Sequence, residues 1–250
     1  MPKLTARHLA LIAVFAALYY VLSIISPYVP AMGVPDLKIK LEALIASVFG
    51  LVLGPYLGFL AAFVGAFVAW VLPPGSMSPY GAPFLLSPPL NALAVGFIFY
   101  RKWKHAFLTL SILIVAFLFL PPCQPLTEFW YVGVAVVWDK IIALLLIIPS
   151  AKFAKSLSSP KWVSVLYFLI AFIGNQTDNM WGSLIFAVPI VYNGVFAMDI
   201  AAVRGAFIIS PFIYPAIRLI QAVIATVVAV PLMSALRNSG WLWQEKTILD

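Results

Sequence analysis

Residues 41–73 read LEALIASVFGLVLGPYLGFLAAFVGAFVAWVLP, with no charge after Glu42, a glycine about every fourth position and Gly54-Pro55 in the middle. At about 33 residues the run far exceeds the roughly 20 that one membrane crossing needs. Gly54-Pro55 stands where a tight reversal divides it into two short helices. Proline fits the first turn of the second helix, because its missing N–H has no helical partner there anyway. Gly50, Gly54 and Gly58 recur four apart, so backbones can approach closely along one face. The stretch predicts a helical hairpin in lipid.

The rest of the chain fits that solvent. With 64% hydrophobic and 9% charged residues, most of its 250 residues cannot present a polar face to water, which excludes a soluble domain. The same length and breaker logic predicts crossings near 8–26, 41–53, 56–72, 85–100, 106–120, 129–149, 162–177 and 211–235, about eight in all. The net charge of +7 sits in short clusters between apolar runs, so it marks orientation and not a nucleic-acid partner. Lys3 and Arg7, the RKWKH run at 101–105, Lys152, Lys155, Lys161 and Arg237 then share one side, cytoplasmic by the positive-inside rule. Both termini are expected inside a multi-pass protein of the cell membrane. The apolar stretch after Arg7 is longer than a signal-peptide core and reads as a retained first span. Residues 1–250 form one transmembrane domain in this reading. SLIFAVPIVYNGVF, broken by Pro189 and Asn193-Gly194, makes 178–210 an outer lid or re-entrant segment.

Polar groups at membrane depth are costly enough to be candidate function. Asp139-Lys140 lies midway along VAVVWDKIIALLL; consecutive residues point in different directions on a helix, so each is expected to pair with another helix. An interhelical bridge, a ligand contact and a proton relay are all open for this pair. GNQTDNMWG at 174–182 is the densest polar cluster. Asn175, Gln176, Asp178 and Asn179 beside Trp181 suit a flat polar ring held by edge hydrogen bonds and face stacking. The competing reading is a capped helix end with Trp181 in an aromatic belt. Asn91 and Arg218 are isolated polar residues near outer helix ends, read either as a packing amide and a snorkelling cation or as site residues. Glu42, opening its span, is read as a helix N-terminal charge.

Several chemistries lack their residues. Only His8 and His105 are present, both beside basic residues at span ends, so no metal site is expected. Cys123 is the sole cysteine, which excludes an internal disulfide framework. Neither HExxH nor GxxxxGK[ST] occurs, and no catalytic set of partners is evident; no catalytic residue or cofactor is assigned.

ARHLALIAVFAALYYVL, the polar loop after it, LKIKLEALIASVFGLVLGPYLGFLAAFVGAF and NALAVGFIFYRK together resemble the substrate-binding S components of energy-coupling factor (ECF) transporters over roughly residues 6–102. PFIYPAIRLIQAVIATVVAVPL is similar to their closing helix. The ExLxA...G...GPxxG pattern from Glu42 to Gly58 and the small-residue stripe Ala6, Ala10, Ala13 and Ala17 carry the match. The resemblance implies an all-α membrane protein on a six-helix core, here extended to about eight segments. It implies capture of a vitamin or related organic micronutrient from outside, beneath the loop after the first helix. It also implies docking of the alanine stripe on a transmembrane coupling subunit that works with two ATP-binding subunits. Read from the residues alone, the stripe is internal packing. A proton-coupled carrier in which Asp139 titrates, and an intramembrane lipid enzyme, are the rival readings.

Overall fold

A computed structural model describes residues 5–25, 28–31, 34–40, 44–153 and 160–239. Lys3, Glu42 and Lys155, together with the start of the crossing expected at 41–53, lie outside the described residues, as do the side chains of Arg7 and Lys161.

The hairpin expected at Gly54-Pro55 is present. Helix α2 (Ile45–Val71) is broken at Gly54, whose φ of 79° and ψ of 179° are open to glycine and strained for other residues. In a straight helix residues 50 and 58 would lie about 12 Å apart. Instead, a Cβ on Gly58 would sit 3.1 Å from the Gly50 Cα and 2.9 Å from the Phe49 carbonyl oxygen, so the two arms fold back on each other. The first arm, 45–53, extends only about 14 Å, less than half of a hydrocarbon core. It is buried throughout, which explains why it is apolar on every side.

Helix α3 (Ser87–Phe99) wedges against both arms. A Cβ on Gly50 would strike the Ala92 carbonyl, and one on Gly96 would strike the backbone of Pro55. The regular glycines of the quoted run thus serve a three-way backbone contact. Helix α1 (Ala6–Ile25) lays Ile12, Ala16 and Tyr19 on the second arm of α2 and on Phe49; the Phe15 and Phe49 rings meet edge to face at 4.9 Å. Its other side leaves Ala6, Ala10, Ala13 and Ala17 exposed.

Strands β1 (Tyr28–Ala31) and β2 (Val34–Lys40) form an antiparallel hairpin after α1, pairing Tyr28 with Lys40 and Val29 with Ile39. This hairpin is the one sheet among the described residues of a helical protein.

The bundle is completed by α4 (Trp103–Leu118), α5 (Leu126–Phe153), α6 (Pro160–Phe186) and α9 (Tyr214–Asn238), with the short α7 (Pro189–Tyr192) and α8 (Ile200–Ile209) between the last two. The stretches expected as eight crossings are largely helical where described, but the first half of α2 is too short to cross by itself, so the expected crossing at 41–53 is corrected to a buried half-helix. Among the described residues five stretches, within α1, α2, α3 with its preceding turn, α5 and α9, are long and apolar enough to cross a membrane.

Contacts sort the two ends of the bundle. At one end Lys102 lies over the Tyr56 ring, Tyr56 and His105 both meet Phe97, and Phe99 meets Tyr167. That is the end bearing Arg101, Lys104, Lys152 and Arg237, the cytoplasmic end by charge. At the other end the Tyr20 hydroxyl donates to the Pro73 carbonyl, Trp70 donates to Ser78, and Tyr80 and Phe84 meet Phe196.

One boundary needs correcting. The polar stretch was expected at a helix end with an outer segment from residue 178, but α6 runs unbroken to Phe186. Asn175, Gln176, Asp178 and Asn179 are buried within it. Neighbouring helices supply the polar contacts that make such a helix interior tolerable in lipid. The segment outside the helix starts after Phe186, and Pro189 and Asn193-Gly194 break it as expected. The α8 helix is capped by Asp199, whose carboxylate accepts from the Ala202 N–H at 2.7 Å. The Arg204 side chain donates to the carbonyls of Pro122 and Gln124 at 3.1 and 2.9 Å and covers the Phe129 ring, tying α8 to the 119–125 loop.

Candidate functional site

The polar residues singled out in α3, α6 and α9 come together. Ser47 Oγ donates to Asn91 Oδ1 at 2.9 Å, and Asn91 Nδ2 donates to Asn175 Oδ1 at 2.9 Å. Asn175 Nδ2 in turn donates to the Arg218 carbonyl at 3.4 Å. This relay clips α2, α3, α6 and α9 through buried side chains, with Gly174 leaving room for Asn91 beside α6. Asn91 and Asn175 are therefore helix-joining amides that frame the cluster.

Next to the frame lies an ion pair. Arg218 does not snorkel: it is buried, its Nη2 is 3.5 Å from Asp178 Oδ1, and its Nη1 donates to Gln221 Oε1 at 2.8 Å. Arg218 and Gln221 are three apart on α9 and so share a face. Asp178 is one turn beyond Asn175 on α6, which puts both on the side facing α9.

What distinguishes this cluster is what it leaves unpaired. Asp178 Oδ2, Arg218 Nε, Gln221 Nε2, Trp181 Nε1 and both terminal atoms of Gln176 are buried without a hydrogen-bond partner among the described residues. Each such atom costs about 1–3 kcal/mol relative to a satisfied one. These atoms gather within two turns of one helix and the facing turn of another, whereas the other buried unpaired atoms, on His8, Asp139 and Ser150, lie apart from them in the chain. Trp181 is partly buried and offers a ring face beside these edges. Asn179 is buried on the same turns of α6. Further out along α6, Gly182 lies beside Phe84, and Phe84 and Phe186 both pack against Phe196, so aromatic rings lie between the cluster and the outer end.

The second charged pair corrects an expectation. Asp139 and Lys140 were expected to reach different helices, yet Lys140 Nζ lies 2.8 Å from Asp139 Oδ1. The long lysine stem spans the 100° between neighbouring positions, and in a low-dielectric interior the nearest counter-charge wins. Both are buried, and Lys140 is within electrostatic range of Arg218. Ser47 and Gln221 were missed. Gln221 carries a signal, a lone amide three residues after Arg218 in an apolar run; Ser47 carries none, since a helical serine commonly bonds its own backbone.

The chain is a polytopic helical bundle with a buried, partly unpaired polar cluster. Residues 3–121, just under half of the chain, match the family model described as ECF-type riboflavin transporter, S component. Over that region the chain is similar to the S components of ECF transporters. An uncharacterized protein of Methanocaldococcus jannaschii is 29% identical over 174 residues, covering 68% of this chain and 55% of that protein. The chain thus spans just over half the length of that relative. No solved structure matches the chain.

Proposed function

We propose that this chain captures a flat, polar organic micronutrient from the outside and delivers it inward with an ECF transmembrane coupling subunit and two ATP-binding subunits. The observation that carries the reading is the set of buried, unpartnered atoms on Gln176, Asp178, Trp181, Arg218 and Gln221. Donors and acceptors are both present, and an indole face stands beside them. A planar solute with a polar edge satisfies the first and stacks on the second. Asn91 and Asn175 position this surface; Asp139 and Lys140 form the charged layer beneath it. The unpaired atoms are closed to solvent, so entry requires the outer ends of α6 and α9, or the rings above them, to part.

The matched family is named for riboflavin, which has such a ring and edge, and this makes riboflavin the first solute to test. The exposed stripe Ala6, Ala10, Ala13 and Ala17 is the proposed docking face for the coupling subunit, because small residues let a partner helix approach closely.

The test is mass spectrometry of small molecules released from the purified protein, followed by titration of the emptied protein with riboflavin while its fluorescence is followed. A planar micronutrient in the released fraction, or flavin quenching that saturates at one site, supports the reading. A protein that releases nothing and quenches nothing ends it. Uptake in membrane vesicles separates the rival carrier: transport without ATP that collapses with an uncoupler would transfer the function to a proton-coupled mechanism at Asp139.

A further inference from the structure

We infer that the Asp178–Arg218 pair reads a neutral solute edge in which an N–H stands beside a carbonyl, as in a lactam or imide ring. This rests on the reading of the α6–α9 cluster as the solute site, and names the chemistry that the site accepts.

Two observations lead there. The first is which atoms of the pair are used. Arg218 spends Nη1 on Gln221 and Nη2 on Asp178, leaving Nε–H buried and free; Asp178 spends Oδ1 and leaves Oδ2 buried and free. One ion pair therefore presents one acceptor and one donor, with the Gln221 Nε2 donor following on α9. A ring N–H donates to Asp178 Oδ2, the adjacent carbonyl accepts from Arg218 Nε–H, and a second carbonyl accepts from Gln221 Nε2. Trp181, three residues after Asp178 and so on the same side of α6, supplies the face for the ring.

The second observation is charge. Among the described residues the buried Asp, Lys and Arg side chains are Asp178 with Arg218 and Asp139 with Lys140, two anions and two cations, each beside its opposite. The set is closed. A phosphate, a carboxylate or a quaternary cation entering it would bring a charge with no spare counter-charge among these described groups, and burying an unpaired charge costs several kcal/mol. A neutral edge adds hydrogen bonds and no charge. It also completes Asp178 and Arg218 without breaking their pairing.

The experiment compares three probes on the full-length protein in lipid nanodiscs: riboflavin, N3-methylriboflavin, which lacks the ring N–H between its carbonyls, and riboflavin 5′-phosphate, which adds charge. Expected is a dissociation constant about 10- to 100-fold weaker for the methylated ring, with the phosphate at least tenfold weaker. In the double variant Asp178→Asn/Arg218→Gln, which keeps the interior neutral, the preference for riboflavin over its phosphate narrows. The probe comparison on the unaltered protein stands even where the variant does not fold. Equal binding of all three probes overturns the inference and leaves the importer reading standing. So does the release of a carboxylate, phosphate or quaternary cation as the native solute. A native solute with a lactam or imide edge other than a flavin supports the inference even where riboflavin fails to bind. Absence of any bound solute removes the site reading and this inference together.

Discussion

Where the two arms of α2 meet each other and α3, Gly50, Gly58 and Gly96 bring main chains into contact, and the Leu51 and Val52 carbonyls beside the Gly54 break accept from the Tyr100 hydroxyl. Where α6 meets α9, bulky polar side chains face one another and several of their atoms have no partner among the described residues. Both are helix contacts in one lipid-embedded bundle. The first is complete as it stands, and the second is complete only with something added. Packing of small residues is the ordinary way to join helices without water. Unpaired polar groups at the same depth are a cost that stability alone does not explain.

The comparison can be broken most forcefully at the glycine contact. Gly96→Leu drives a side chain into the Pro55 backbone, and a loss of about 3 kcal/mol or more is expected. Unfolding monitored in detergent should show the protein failing to accumulate or melting far below its parent. A variant as stable as the parent would mean that α2 and α3 are not this close.

The polar contact gives a smaller and different response. Asp178→Asn removes one half of a buried pair and leaves Arg218 uncompensated; breaking such pairs costs about 3–5 kcal/mol in soluble proteins, and less is expected where Gln221 still holds Arg218. Solute retention should fall at least tenfold, whereas the double change with Arg218→Gln should recover stability without recovering retention. Recovery of both would make the pair structural.

At α1 the contrast concerns an outer face. Ala13→Trp places a bulky group on an exposed stripe, so stability and solute binding should be unchanged while co-purification with a coupling subunit is lost. Normal recovery of the complex would move the docking face elsewhere.

The smallest effect is expected in the 119–125 loop. Burial pushes the Cys123 thiol up to about 11, against the opposing pull of the Arg204 charge. A folded-state pKa at that height leaves well under 1% thiolate at pH 8, so alkylation should be slow until the protein unfolds. Arg204→Ala removes the charge that opposes this rise and should slow labelling a little further, and rapid labelling of the unaltered protein would show Cys123 to be accessible.

Much of the bundle was legible in residue order. The break at Gly54, the stop at Pro189 and the ends marked by Arg101 and Lys152 each follow from a local property: glycine conformation, a missing N–H, or a charge that stays out of lipid. Residues 174–182 were legible as a cluster but misplaced, because local polarity resembles a helix end and only neighbouring helices can make it an interior. Lys140 turned back to Asp139 for a reason that periodicity does not contain, the length of its own side chain.

Sequence by itself determined that the chain suits lipid, where its helices lie and which side chains are expensive there, since each depends on transfer cost and helix geometry over a few turns. Tertiary structure alone decided which of those side chains satisfy one another. Pairing depends on distances between helices far apart in the chain, and so only the packed bundle separates Asn91 and Asn175, already engaged, from Gln176, Asp178 and Arg218, which keep atoms in reserve.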